Sequence, residues 1–549
     1  MSVSSRLKQN PTSLVDVFVE MGIVKGNNKN CGVGKDILST FPINFDNQDL
    51  LKSIKQFAFP WKSPPSSSNA IQLFTFVLTD GNGFYTFGYC RYNPTINTCI
   101  CILSSLPWHT FFFKLLDLIS TVINSGGNII NLFNDIKNKG IPTPGTTLTI
   151  EDENYDKYTI EVPFLDPLTT MKENKFLMDF YNAMPEKSMI KYYTSLLKER
   201  RIIITGSKMS QICACCFSVD HLLYPFSWQN LFIPILPHEL IDTVMAPMPF
   251  IIGVHKDTYN VLNFEVLGDV VVFDIDDKSF NTPFKEDTLP APIYDFLKNE
   301  LKYLSDNFLT ESLTKVFLRS NVLLFGKYRQ GLRMKEGSVK VSWDRKVFLE
   351  AQHTVLKKFL STLLGRDGVQ YFERFVDERT IAINCGLPID DDFEREFSRL
   401  DGNMEKIMTR PSRDIVENAF LTIRQKISKI TSKDPTKISK IEAAKKHRIR
   451  TASPFCSSPV LVQLNNGRHS NSPSSNDSTN SNVSTQGSYC DSIKESNKIG
   501  RDLERNSTIV DDLISFEDPP KLPETSPPPL ISDSSKQLIN FRQNWEIFE

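Results

Sequence analysis

The spacing of apolar residues changes twice along this chain, and each change demands a different architecture. Up to about residue 103 the pattern is that of strands. Ile71 to Leu78 and Phe84 to Tyr92 are β-branched and aromatic runs, and Asp80, Gly81, Asn82 and Gly83 between them readily supply the positive φ of a turn. The pair predicts a β-hairpin. Residues 14–21 and Cys99 to Leu103 read as further strands, Pro107 suits a helix's first turn, and Trp108 to Ile123 carries apolar residues at helical spacing. The first module, residues 12–150, is expected to be an antiparallel sheet with helices, ending at a polar acidic connector, Glu151 to Asp156.

From residue 170 helical and strand signals alternate. Helices are expected over 174–183, 186–199 and from Ser207 to about Leu222, with strands at Arg201 to Thr205 and near 231, 250 and 270. This alternation predicts an α/β layer with a partly parallel sheet, in a central module at residues 165–302. Beyond Pro292 only helix signals remain, at 293–307, 309–325, 344–364 and 368–377, so residues 303–385 are expected to form an all-helical third module. The expected fold class is α/β in the centre and α+β overall. A length of 549 residues requires such a division, because single cores stop growing beyond roughly 250–300 residues.

The pattern then fades. Residues 386–450 read as a basic linker, in which Leu421 to Arg450 carries ten Lys or Arg against Asp434 and Glu442. Such a run either attracts an anionic phosphoinositide membrane or is merely a solvated linker or helix. From Thr451 to Cys490, 23 of 40 residues are Ser, Thr, Asn or Pro, a composition that cannot offset ordering entropy by burial. Residues 451–549 are therefore expected to form a disordered tail.

Several function classes are excluded by charge and motif. Lys plus Arg number 63 against 64 Asp plus Glu, which removes the global basic field of a dedicated nucleic-acid binder. The ten Cys are too sparse for a disulfide scaffold and fit a reducing compartment; Met1 to Asn10 has no apolar signal region, so a cytoplasmic protein is expected. Leu231 to Val254 is apolar but interrupted by Pro234, Pro237, Pro247 and Pro249, and by His238, Glu239 and Asp242, which argues against a bilayer span. Gly32 to Lys35 is followed by Asp36 where a phosphate loop needs a hydroxyl, and Asp242 stands where a zinc-protease helix starting at His238 needs its second imidazole. No G-x-S-x-G nucleophile elbow occurs. Cys213 and Cys216 form a C-x-x-C, but inside an expected helix rather than at its activating N-terminus, so core packing is favoured over thiol redox chemistry, with His221 a satisfied helix-end residue. No catalytic residue, metal or cofactor is expected.

Taken together, the module order and a set of local strings resemble the DENN family, specifically its connecdenn branch. The strings are Ser5 to Pro11, Phe74 to Asp80, Cys101 to Ser104, Leu106 to Trp108, Glu199 to Ile204, Leu223 to Pro225, Trp228 with Gln229, Ala246 to Phe250, and Phe325, Gly326 and Tyr328. The resemblance covers roughly residues 1–385. It implies a longin-like upstream lobe, a central α/β DENN lobe and a helical downstream lobe, acting as a guanine nucleotide exchange factor for a Rab-family small GTPase, by preference the endocytic-recycling Rab. Exchange breaks no covalent bond, so it needs no acid, base or nucleophile; it needs tighter binding to the emptied GTPase than to the loaded one, which by linkage weakens the nucleotide. Glu199, Arg200, Arg201, Pro247, Met248 and Pro249 are the candidate GTPase-binding residues, the alternative for each being a structural role in a turn or the core. The competing reading is a non-exchanging GTPase-binding scaffold or coat adaptor.

Short tail motifs add partners. Leu513, Ile514, Phe516 and Glu517 fit the clathrin box, an extended peptide whose alternate side chains fill a β-propeller groove of the clathrin heavy chain. Trp545, Phe548 and Glu549 resemble the W-x-x-F-acid motif that binds the alpha appendage of the plasma-membrane clathrin adaptor complex, the alternative being a terminal helix docked on the body. Pro527 to Pro529 offer a weaker polyproline ligand for Src-homology-3 proteins. The expected place of action is the cytoplasm, at clathrin-coated vesicles and early endosomes.

Overall fold

A computed structural model describes residues 5–24, 34–62, 70–151, 157–307, 310–334, 340–365 and 368–409. Strands β1 (Val17–Val24) and β2 (Gly34–Phe41) are followed by helix α1 (Gln48–Ala58), then β3 (Gln72–Thr79), β4 (Tyr85–Asn93) and β5 (Thr98–Ser104). They form an antiparallel sheet of order β2-β1-β5-β4-β3. The expected hairpin is β3–β4. Asp80 closes its turn, accepting from the Phe84 N–H at 2.8 Å through its side chain, and Gly83 takes a φ of 86°, open to glycine at little cost. Helix α2 (His109–Asn124) buries Phe111 and Phe112 on the sheet, but it starts after Trp108, so Pro107 lies just outside the first turn where it was expected.

After α3 (Ile129–Lys139) come β6 (Thr147–Glu151) and β7 (Lys157–Glu161), which pair antiparallel and pack on α2 and α3. Glu151, the expected start of a connector, thus ends a strand, and residue 150 lies inside a hairpin. The alternation of Leu148 and Ile150 with polar neighbours carries this signal, since both are buried on one side.

The central part runs α4 (Lys175–Ala183), α5 (Glu186–Leu197), β8 (Arg201–Gly206), α6 (Met209–Phe217), α7 (Val219–Leu222) and β9 (Leu231–Ile233). A 3₁₀ segment, His238–Met245, leads to β10 (Phe250–His255), α8 (Lys256–Tyr259), α9 (Phe264–Leu267), β11 (Val271–Asp274) and β12 (Ser279–Asn281). The sheet order is β12-β11-β8-β10-β9, parallel except for the β11–β12 edge pair. Strands β10 and β11 are buried along their whole length, as expected where elements cover both faces of a parallel sheet. Helix α6 lies between this sheet and β3, and its thiols are core: the Cys213 Sγ reaches the Thr75 carbonyl at 3.4 Å, and burial pushes that thiol up to about 12. The Cys216 thiol, also raised by burial, faces the Pro234 carbonyl. His221 Nδ1 lies 2.8 Å from the Thr314 hydroxyl, satisfied as expected.

The last part comprises α10 (Ala291–Asp306), α11 (Leu313–Phe325), β13 (Leu332–Met334), β14 (Val341–Trp343), α12 (Arg345–Glu350), α13 (Thr354–Leu364), α14 (Gln370–Asn384) and α15 (Asp392–Thr409). It is helical apart from the β13–β14 ribbon. The helix expected over 344–364 is two helices, because His353 turns out of helical geometry and caps α13 through its ring nitrogen on the Val355 N–H. The linker expected from residue 386 instead opens with α15, which buries Phe393, Glu396, Met404 and Met408. No helix among the described residues is long and apolar enough to cross a membrane.

Helix α15 is held by charge as well as by apolar contact. The Arg319 guanidinium on α11 pairs with Glu396 at 2.9 Å and with Glu300 on α10, while the Tyr224 and Tyr328 hydroxyls donate to Asp392 and Glu394 at 2.8 and 2.7 Å. Arg319→Ala leaves the buried Glu396 carboxylate facing only the exposed Arg399. The expected cost is about 3 kcal/mol, the usual penalty for stranding a buried charge. Thermal melts of the full chain check it, and an unchanged Tm refutes the assigned role.

Candidate functional site

Glu199, Arg200 and Arg201 stand where α5 turns into β8. Glu199 makes that turn in a left-handed conformation, φ 47°, and its carboxylate accepts from the Gln370 N–H at 3.0 Å, at the start of α14. Burial pushes this carboxyl above its ordinary range. Arg200 binds both Asp287 oxygens, at 2.8 and 2.9 Å, and lies 3.8 Å above the Phe284 ring, a fork geometry that lysine does not reproduce. Arg201 donates to two carbonyls, Leu267 at 2.9 Å and Val244 at 2.8 Å. All three side chains are engaged within the chain.

The Arg201 contact has a geometric result. One guanidinium holds the end of the 3₁₀ segment and the end of α9 side by side, at the edge where β8 and β10 begin. Next to Val244, Met245 is 41% exposed and Met248 52%; next to Leu267, Val266 is 63% exposed, with Phe264 and Val261 also open. Pro247 and Pro249 flank Met248 and fix its presentation, because proline locks φ. Two short segments that present exposed apolar side chains are thus held side by side by Arg201 and form one ledge. Exposed apolar surface of this kind marks protein contact, and methionine adapts to a partner's shape.

The other end of the same segment reaches the first sheet. Glu239 pairs with Lys35 of β2 at 2.8 Å, and the His238 N–H donates to the Pro60 carbonyl at 2.8 Å. Residues 238–249 therefore link the first lobe to the ledge. Of the sequence candidates, Pro247, Met248 and Pro249 lie on the ledge, Arg201 braces it from behind, and Glu199 and Arg200 anchor neighbouring segments. Met245, Val261, Phe264 and Val266 were missed. Their signal was apolar residues in short segments flanked by polar ones, which sequence alone does not distinguish from core. Residues 513–517, 527–529, 545–549 and the basic run 421–450 lie outside the described residues.

Among the described residues no group of three or more His, Cys, Asp or Glu is placed to hold a metal ion. Residues 35–92 match the uDENN domain, and residues 95–278 match the DENN (AEX-3) domain. DENN domain-containing protein 1B of Mus musculus is 32% identical over 397 residues, covering 72% of this chain and 50% of that protein. This chain belongs to the DENN family. DENN domain-containing protein 1A of Xenopus laevis is likewise 32% identical, over 72% of this chain and 38% of its own length, and DENN domain-containing protein 1C of Mus musculus is 29% identical, over 71% and 51%. The DENN chain described here thus spans about half, or less, of the length of the curated relatives it matches. The ledge, Arg201 and the two prolines all fall within its DENN (AEX-3) match, whereas α10 to α15 lie beyond it.

Proposed function

We propose that this DENN protein is a guanine nucleotide exchange factor for a Rab-family small GTPase, by preference the endocytic-recycling Rab, and that the ledge around Met245, Met248 and Val266 is a principal contact. The observation that carries this reading is an exposed apolar surface inside the DENN domain match, braced from behind by Arg201 and tied to the first lobe through Glu239. Binding of that surface to a GTPase switch is worth most when the switch has left the phosphates. The differential affinity then displaces nucleotide without a covalent step.

The tail supports a place of action. A clathrin box at 513–517, a W-x-x-F-acid motif at 545–549 and the basic run 421–450 suit a coated membrane, where weak sites on one chain gain avidity. Pro527 to Pro529 would add a Src-homology-3 partner. A non-exchanging scaffold would share these motifs.

Release of a fluorescent guanine nucleotide from a Rab panel, with the full chain added, separates the two. Acceleration of at least about tenfold for one Rab, corresponding to ~1.4 kcal/mol of differential stabilisation, is the expected result. Tight binding with unchanged release makes the protein a scaffold.

A further inference from the structure

The first lobe contains a cavity of about 340 Å³ that the ledge does not use, within the ~300–1,000 Å³ range of small-molecule sites. Its apolar wall combines Val17, Leu78 and Leu103 from the sheet with Phe45, which precedes α1, and Leu50 in the first turn of that helix. Its polar lining carries both signs of charge: Lys8 on one hand, Asp16 and Asp80 on the other. Both carboxylates are held in place, Asp16 by the Ser13 and Ser105 hydroxyls and Asp80 by the Phe84 N–H. Lys8 is exposed and makes no ion pair among the described residues. It belongs to the N-terminal strap, which Arg6 fixes by donating to the Gly83 and Gln229 carbonyls.

An apolar ligand alone would desolvate these charges without pairing them, and an anion or a cation alone would answer one sign only. A zwitterion with an apolar side chain answers all three features. We propose that this cavity binds a free apolar α-amino acid such as leucine or phenylalanine. The side chain enters the Val17, Leu78 and Leu103 wall, the ammonium meets Asp80, and the carboxylate meets Lys8, while Asp16, three strands across the sheet from Asp80, keeps its Ser13 and Ser105 partners. The proposal concerns binding alone and does not depend on exchange activity.

Isothermal titration of the full chain with L-leucine, leucine amide and 4-methylpentanoate tests it, the amide lacking the carboxylate and the acid lacking the ammonium. L-leucine is expected to bind at least about tenfold more tightly than either analogue, since each lost charge-assisted contact costs ~1.5–3 kcal/mol. Lys8→Met should erase the advantage over the amide, and Asp80→Asn the advantage over the acid. Because Asp80 also closes the β3–β4 turn, a melting curve accompanies that variant; Lys8, exposed on the strap, gives the independent arm. Equal binding of all three probes, no saturable binding of leucine or phenylalanine at millimolar concentration, or a Lys8→Met chain that still prefers the free acid overturns the proposal.

Discussion

Gly253→Ala is expected to leave the chain unable to assemble its central sheet. A Cβ at this position in β10 would lie 1.9 Å from the Pro234 carbonyl oxygen and 2.6 Å from Cγ2 of Ile212 on α6. Neither neighbour has room to retreat. The Pro234 to Leu236 segment runs against β10 because the Leu236 N–H donates to the Gly253 carbonyl at 2.8 Å, and Ile212 is fully buried. Overpacking a core with one methyl costs about 1–3 kcal/mol when side chains can move. Here the obstacle is main chain, so the loss is expected to exceed ~4 kcal/mol, a large part of the 5–15 kcal/mol typical of a domain. Urea unfolding and soluble yield measure it. Gly81→Ala, with nothing within 4 Å of the new methyl, is the control and should be neutral. A Gly253→Ala chain with a native midpoint would mean that the β10 packing described above is wrong.

The second large effect concerns the ledge. Met248→Asp combined with Val266→Asp is expected to raise the protein concentration needed for half-maximal acceleration of nucleotide release by about 100-fold, because central interface residues contribute ~2–4 kcal/mol and each ~1.4 kcal/mol is tenfold. Stability should stay within about 0.5 kcal/mol, as both side chains are more than half exposed. Ile381→Asp, at a site of similar exposure on α14, should leave release unchanged. Full activity in the double variant would move the GTPase contact elsewhere on the body, and a loss shared with Ile381→Asp would point to a general effect of added charge.

Legibility followed the range of the interactions. The β3–β4 hairpin was readable because its turn residues and alternation are local. Helix α15 was not, although Phe393, Phe397, Leu400, Met404 and Met408 recur at helical spacing, because the surrounding acidic and basic residues resemble a solvated linker. Those same charges turn out to be its anchors, reaching Arg319, Tyr224 and Tyr328 on distant segments. Glu199 to Arg201 stood out as a charged run before an apolar strand, and Pro247 to Pro249 as a stiff turn. Which of them face outward was invisible, since Arg200 and Arg201 find their partners 87, 66 and 43 residues away.

By itself the amino-acid order determined the kind and succession of elements, from an antiparallel sheet through a parallel one to helices, because periodicity and turn chemistry act within a few residues. Only the tertiary structure decided which apolar side chains remain outside. Val266 and Val271 are the same residue five positions apart, one 63% exposed and the other fully buried. What separates them is that Val271 enters the strand paired with β8, whereas the Arg201 guanidinium holds the neighbour of Val266 at the sheet's rim.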